Sequence, residues 1–198
     1  MDSLPIGRHV EKRAIVTSTI HSLRPTVSRQ EAVALFSACG ATGFFLRIQN
    51  GSLLRIADAY VPYWTYRVRY VLRKGEATRL FALDALDGSL DLFEFPKLPG
   101  LHELIAIETR NDLASRLTEE RAESLLREKV LRVLFQRGFF ELREPHLEIV
   151  GHPVKLHMPY WLGFYDRRST VHCRVMDAVR TRVEGAKAST LFEQWLAA

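Results

Sequence analysis

Polar and apolar side chains alternate with period two over residues 59–72, placing Trp64, Tyr66, Val68 and Tyr70 on one side and Thr65, Arg67 and Arg69 on the other. That pattern predicts a strand with one buried face. Arg73-Lys74-Gly75-Glu76 predicts a turn into a strand over 78–86, and Asp87-Gly88 a second tight turn into 90–95. Upstream, Asn50-Gly51 between 44–49 and 53–56 is a strong hairpin signal. Ahead of it, Ala32, Leu35, Phe36 and Cys39 recur at helical spacing behind Ser28 and Glu31, a capping-box pair. A longer helix is predicted over 118–137, with Leu126, Val130, Val133 and Leu134 as its apolar stripe. Gly40 and Gly138 stand where helix C-termini favour a residue tolerant of positive φ. At the end of the chain, Ala188, Leu191, Phe192, Trp195 and Leu196 predict a closing amphipathic helix.

The second half repeats the first. Gly43-Phe44-Phe45 returns as Gly138-Phe139-Phe140, Pro62-Tyr63-Trp64 as Pro159-Tyr160-Trp161, and Asp84-Ala85 as Asp177-Ala178, in the same order. A faint echo links Leu4-Pro5 and His9 to Leu98-Pro99 and His102. The expectation is an α+β protein, an internal duplication of a helix-plus-antiparallel-meander unit with a C-terminal amphipathic helix. Residues 1–110 would form the first repeat and 111–198 the second, each sheet packing on its own helix. Segments 26–97 and 116–198 would then superpose, with Trp64 on Trp161, Asp84 on Asp177, and both indoles largely buried.

A helix, a strand hairpin and a strand ending in Asp-Ala before a turn resembles the PepSY-type domain. Leu83-Asp84-Ala85-Leu86-Asp87-Gly88 carries the pattern fully, while Met176-Asp177-Ala178-Val179-Arg180-Thr181 keeps Asp-Ala without the glycine. The resemblance covers about 60 residues per copy and implies a regulatory or inhibitory module of a larger protein, usually outside the cytoplasm. The Pro-Tyr-Trp element is not part of that pattern.

Composition bounds the function. With 47 % hydrophobic and 26 % charged residues over 198 positions, the chain reads as a globular protein that needs no disulfide or metal to fold. Its net charge of +5 is spread evenly, and Arg outnumbers Lys by 22 to 6. The pI near 9.4 permits an anionic partner without requiring one. Cys39 and Cys173 stand in unlike contexts, which favours a reducing compartment, and no segment reads as an export signal or membrane span. A cytoplasmic protein is expected.

Candidate chemistry is sparse. Asp84 and Asp177 each precede a turn, where an Asx side chain accepts backbone N–H bonds, so their pairing is read as structural rather than as acid–base machinery. His152, His157 and the neighbouring His172 and Cys173 lack metal-ligand spacing, and neither a Gly-x-Ser-x-Gly elbow nor a Gly-rich phosphate loop occurs. No metal and no cofactor is expected, and an enzyme is the less favoured reading. The leading expectation is a non-catalytic binding or scaffold module for a protein partner or small ligand. The alternative is a nucleic-acid or phosphate binder using the basic residues Arg67, Arg69, Arg73, Lys74 and Arg79.

Overall fold

A computed structural model of the chain describes residues 17–37, 51–72, 75–91, 103–138, 142–167 and 170–197. The strand expected at 44–49, the Asn50 side of its hairpin, Cys39, Gly40, Arg73, Lys74, the 92–95 end of the fourth expected strand, both Phe-Phe pairs and the N-terminal echo lie outside them.

The described residues form a mixed α+β structure with three helices and one open nine-stranded sheet. Two strands dominate it, β2 (Ser52–Leu72) and β7 (Val154–Arg167). At about 3.3 Å per residue β2 is about 70 Å long, well beyond the usual strand. The segments expected at 53–56 and 59–72 are thus one continuous strand. Its N-terminal part pairs antiparallel with β7, from Ser52–Asp166 to Thr65–Val154, and its C-terminal half pairs with β3 (Gly75–Asp84). In the same way β7 pairs with β8 (Thr170–Asp177) from Tyr160 onward. Short strands β4 (Leu90–Asp91) and β9 (Arg182–Val183) extend β3 and β8. β6 (Leu142–Ile149) pairs with β2 near Tyr70. Two strands that the periodicity did not predict, β1 (Ser18–Ser22) and β5 (Ile105–Thr109), pair with each other, and β1 meets β7 at the Ser22–His157 pair.

The Pro-Tyr-Trp triplets stand where each neighbouring strand leaves its long partner. Within a strand, a residue's N–H and C=O point toward the same neighbour, so a proline is tolerated only where that neighbour needs no acceptor bond. The β2–β3 ladder ends at Tyr63–Asp84, and the Pro62 carbonyl accepts from Ala85 N–H at 2.9 Å. On the other side the β7–β8 ladder ends at Tyr160–Asp177, and the Pro159 carbonyl accepts from Ala178 N–H at 3.0 Å. Both turns are closed by the aspartates as expected: Leu86 N–H donates to Asp84 Oδ1 at 2.7 Å, and Val179 N–H to Asp177 Oδ1 at 2.8 Å.

The alanines of these turns receive the helices. The Ala85 carbonyl accepts from Arg116 and Leu117 N–H, just before α2 (Glu119–Gly138). The Ala178 carbonyl accepts from Thr26 and Val27 N–H, just before α1 (Arg29–Ser37). The indole N–H groups fix the same junctions, Trp64 donating to the Leu117 carbonyl at 3.4 Å and Trp161 to the Val27 carbonyl at 2.9 Å. Ser28 and Thr118 cap the helices through their hydroxyls, and Glu31 completes a capping box by accepting from Ser28 N–H at 2.8 Å.

The helices are therefore exchanged relative to sequence order, which corrects the expectation that each sheet packs on its own helix. Ala122, Leu126 and Val130 of α2 bury Tyr66, Val68, Tyr70, Phe81 and Leu83 of β2 and β3. Ala32 and Phe36 of α1 pack on Ile56, Tyr165 and Met176. Gly163 admits the Phe36 ring, since a Cβ there would lie 3.0 Å from it. Trp64 and Trp161 are largely buried as expected, each ring packed at a helix entrance with its N–H bonded to the chain there.

The opposite face of the sheet carries the largest core cluster, with Ala59, Val61 and Tyr63 of β2 beside Leu156, Met158, Tyr160 and Leu162 of β7. The closing helix forms as predicted, α3 (Ala186–Ala197), and buries Phe192 against Tyr160 with ring centroids 5.7 Å apart. No helix among the described residues is long and apolar enough to cross a membrane.

Candidate functional site

On this face, where β2 and β7 pair, two buried phenols meet. The Tyr63 and Tyr160 hydroxyls lie 3.3 Å apart. Next to them the β3–β4 turn approaches the start of α3 and leaves a pocket of about 220 Å³. Its floor is Val61, Tyr63 and Tyr160, and its apolar wall is Ala188, Leu191 and Phe192. The polar rim brings Asp84, Asp87 and Ser89 from the turn to Glu184 and Lys187 from the other half of the chain.

Each polar group has a distinct environment. Burial pushes the Asp84 carboxyl up to about 6, outweighing the N–H bond from Leu86 that favours the anion. Among the described residues no cation is paired with Asp84. Burial would also raise Asp87, but Lys187 and Ser89 hold its carboxyl below the usual range. Lys187 Nζ donates to Asp87 Oδ2 at 2.6 Å and to Ser89 Oγ at 3.3 Å. Glu184 is paired at the surface with Arg182, 3.0 Å away. Burial, with each ring's neighbouring charges, pushes both tyrosines well above the ordinary phenol value, so they serve as neutral hydroxyl donors and acceptors.

The basic strand face is less assembled. Arg67 is exposed, whereas Arg69 is engaged by Glu148, its Nε 2.9 Å from Oε2. Arg79 stands opposite Val68 in the β2–β3 ladder, hence on the α2 side, while Arg67 and Arg69 project from the other face. The structure brings Arg67 and Arg69 together and separates Arg79 from them; Arg73 and Lys74 lie outside the described residues.

Among the described residues neither thiol nor imidazole chemistry gathers elsewhere. Burial pushes the Cys173 thiol up to about 12, and burial lowers His157, whose Nδ1 lies 3.3 Å from the His21 carbonyl. Among the described residues no His, Cys, Asp and Glu group could hold a metal ion.

Sequence reasoning singled out Asp84 only as a turn former and missed Tyr63, Tyr160, Glu184 and Lys187 as pocket residues. The readable signal was divergence: Asp87 and Arg180 stand at matching offsets from the two Asp-Ala pairs, with opposite charge. Comparison of the chain with protein-family models, curated proteins and solved structures gives no match.

Proposed function

We propose that the protein is a non-catalytic binding module of the cytoplasm, a duplicated helix-plus-meander unit that holds a small ligand in the pocket between its two copies. Matched contacts support the duplication. Tyr63–Asp84 and Tyr160–Asp177, then Leu83–Leu90 and Met176–Val183, are equivalent ladder pairs under offsets of 97 and 93. Val61 and Met158, themselves 97 apart, face one another within the β2–β7 ladder, as a pseudo-twofold axis passing between them demands. Tyr63 and Tyr160 are counterparts too, and residues near such an axis meet their own equivalents. The resemblance to PepSY-type domains agrees with a binding role for this unit.

The observation that carries the ligand reading is the pocket, an apolar cleft at the junction with a few convergent polar groups and one strongly perturbed carboxyl. An engineered 150 Å³ cavity holds benzene, so 220 Å³ suits a ligand of roughly nine non-hydrogen atoms. The strand-face alternative has weaker support, because Arg69 is neutralised and Arg79 points elsewhere.

A fragment screen by ligand-observed NMR tests the reading, with wild-type protein compared against Ala188→Phe or Ser89→Tyr, which fill the pocket from opposite walls. Hits should disappear in whichever variant retains cooperative thermal unfolding. Hits that bind such a variant undiminished would place the site elsewhere.

A further inference from the structure

The pocket has a twin that contains its own occupant. Around Asp177, Arg180 inserts its guanidinium between two carboxylates. Nε lies 2.6 Å from Asp177 Oδ2, and Nη1 lies 2.9 Å from Asp91 Oδ1. Asp177 is fully buried and the Arg180 side chain is only 13 % exposed, so this ion pair is largely withdrawn from water. Burial disfavours the arginine's charge, yet the two aspartates hold its proton more firmly than usual.

Under the offset of 93, Asp177 corresponds to Asp84, Asp91 to Glu184 and Arg180 to Asp87. The ladder contacts agree: Asp91 pairs with Ala82, and Glu184 N–H donates to the carbonyl of Val175, the counterpart of Ala82. The pocket thus repeats the two carboxylates of the twin and lacks the guanidinium between them. Lys187 does not replace it, since its ammonium is drawn to Asp87 and Ser89 at the rim and is 83 % exposed. Of the charged groups among the described residues that line the cavity, three are carboxylates and one is an ammonium.

We infer that the ligand of this pocket is a small organic cation, carrying an amidinium, guanidinium or primary ammonium head on an apolar body. The head takes the place between Asp84 and Glu184 that Arg180 takes between Asp177 and Asp91. The body lies against Val61, Leu191 and Phe192, and the Tyr63–Tyr160 hydroxyl pair closes the floor. A cation draws the Asp84 proton off into solvent on binding, because only the carboxylate pairs with it. The groups facing Asp84 as it titrates are Asp87 on its own turn, Tyr63 on β2, Tyr160 on β7, and Glu184 and Lys187 from the start of α3.

This inference rests on the pocket being the ligand site, and the test separates the two. Benzamidine, its neutral isostere benzamide and its anionic isostere benzoate are titrated calorimetrically into the full chain. Benzamidine should bind at pH 7.5 at least tenfold more tightly than either isostere. Its affinity should fall about tenfold per pH unit well below pH 6, as Asp84 becomes protonated. Asp84→Asn, which keeps the oxygen that accepts from Leu86 N–H, should weaken it at least tenfold. Asp87→Arg, which copies the twin's own guanidinium into the pocket, should abolish it. Benzamide or benzoate binding as tightly as benzamidine would overturn the cation class and leave the pocket reading intact. Absence of binding by all three overturns the cation class, and joined to fragment hits that survive pocket filling it overturns both.

Discussion

Ionised Asp84 should cost the protein stability, and removing its charge should make the protein more stable. An aspartate in the unfolded chain titrates near 3.8, while burial pushes Asp84 up to about 6 in the folded protein. Between those values the folded state binds more protons than the unfolded state. Stability therefore falls as pH rises from about 4 to about 6, and is constant outside that window for this group. The gap corresponds to about 3 kcal/mol at pH 7.5, at about 1.4 kcal/mol per pH unit. Asp84→Asn removes this penalty and keeps the acceptor for Leu86 N–H, but its amide must find a hydrogen-bond partner, at about 1 kcal/mol or more. The variant should then be more stable than wild type by about 1–2 kcal/mol at neutral pH, a rise in Tm of several degrees for a chain of this size. Urea unfolding of both proteins at pH 4 and pH 7.5 measures the difference. It should be small at pH 4 and reach its full value at pH 7.5. A variant equally or less stable than wild type at pH 7.5, or a difference independent of pH, would refute the argument that a buried charge is held there against its desolvation.

Arg180→Ala leaves Asp177 fully buried without its guanidinium and should cost about 3–5 kcal/mol, seen as a lower urea midpoint; adding Asp177→Asn should recover part of the loss. Gly163→Ala drives a methyl to 3.0 Å from the Phe36 ring and should cost about 1–3 kcal/mol, largely relieved by Phe36→Leu in the same chain. Reversing Arg67 and Arg69 together to Glu breaks one exposed ion pair with Glu148 and should cost about 1 kcal/mol or less while benzamidine binding is unchanged. Salt-dependent binding of an oligonucleotide that vanishes in this double variant would instead favour the strand-face alternative.

Much of the local structure was legible because it is local. Ser28 and Glu31 marked the start of α1, the alternation through Trp64–Tyr70 marked the C-terminal part of β2, and the spacing of Leu191, Phe192 and Trp195 marked α3. The order of Pro-Tyr-Trp before Asp-Ala in each half also anticipated the matched ladders. What escaped is what an amphipathic pattern does not encode. Leu126 and Val130 advertise an apolar stripe on α2 but not which sheet receives it, so the exchange of helices was invisible. β1 was missed because Ser18, Thr19, His21 and Ser22 leave only Ile20 to betray a buried side. The pocket was missed for a different reason. Asp84 had a sufficient explanation as a turn residue, and that explanation is correct, yet it accounts for one of the carboxyl's oxygens and not for its setting beside Tyr63 and Tyr160.

The exchange of helices sets an order of assembly on a chain made from its N-terminus. When α2 emerges, the strands it covers, β2 and β3, have already been synthesised and can dock it at once. α1 meets only part of its surface that early, Ile56 of β2. Tyr165 and Met176, against which Phe36 also packs, arrive roughly 130–140 residues later, so the cluster around Ala32 and Phe36 stays incomplete until nearly the whole chain exists. The same holds for Val61, whose ladder partner on β7 is Met158. Contacts this distant in sequence slow folding, because loop closure precedes any gain from burial. The N-terminal half alone therefore presents an open β2 edge and an unplaced helix, and truncation before residue 176 should yield aggregating protein instead of a smaller folded unit.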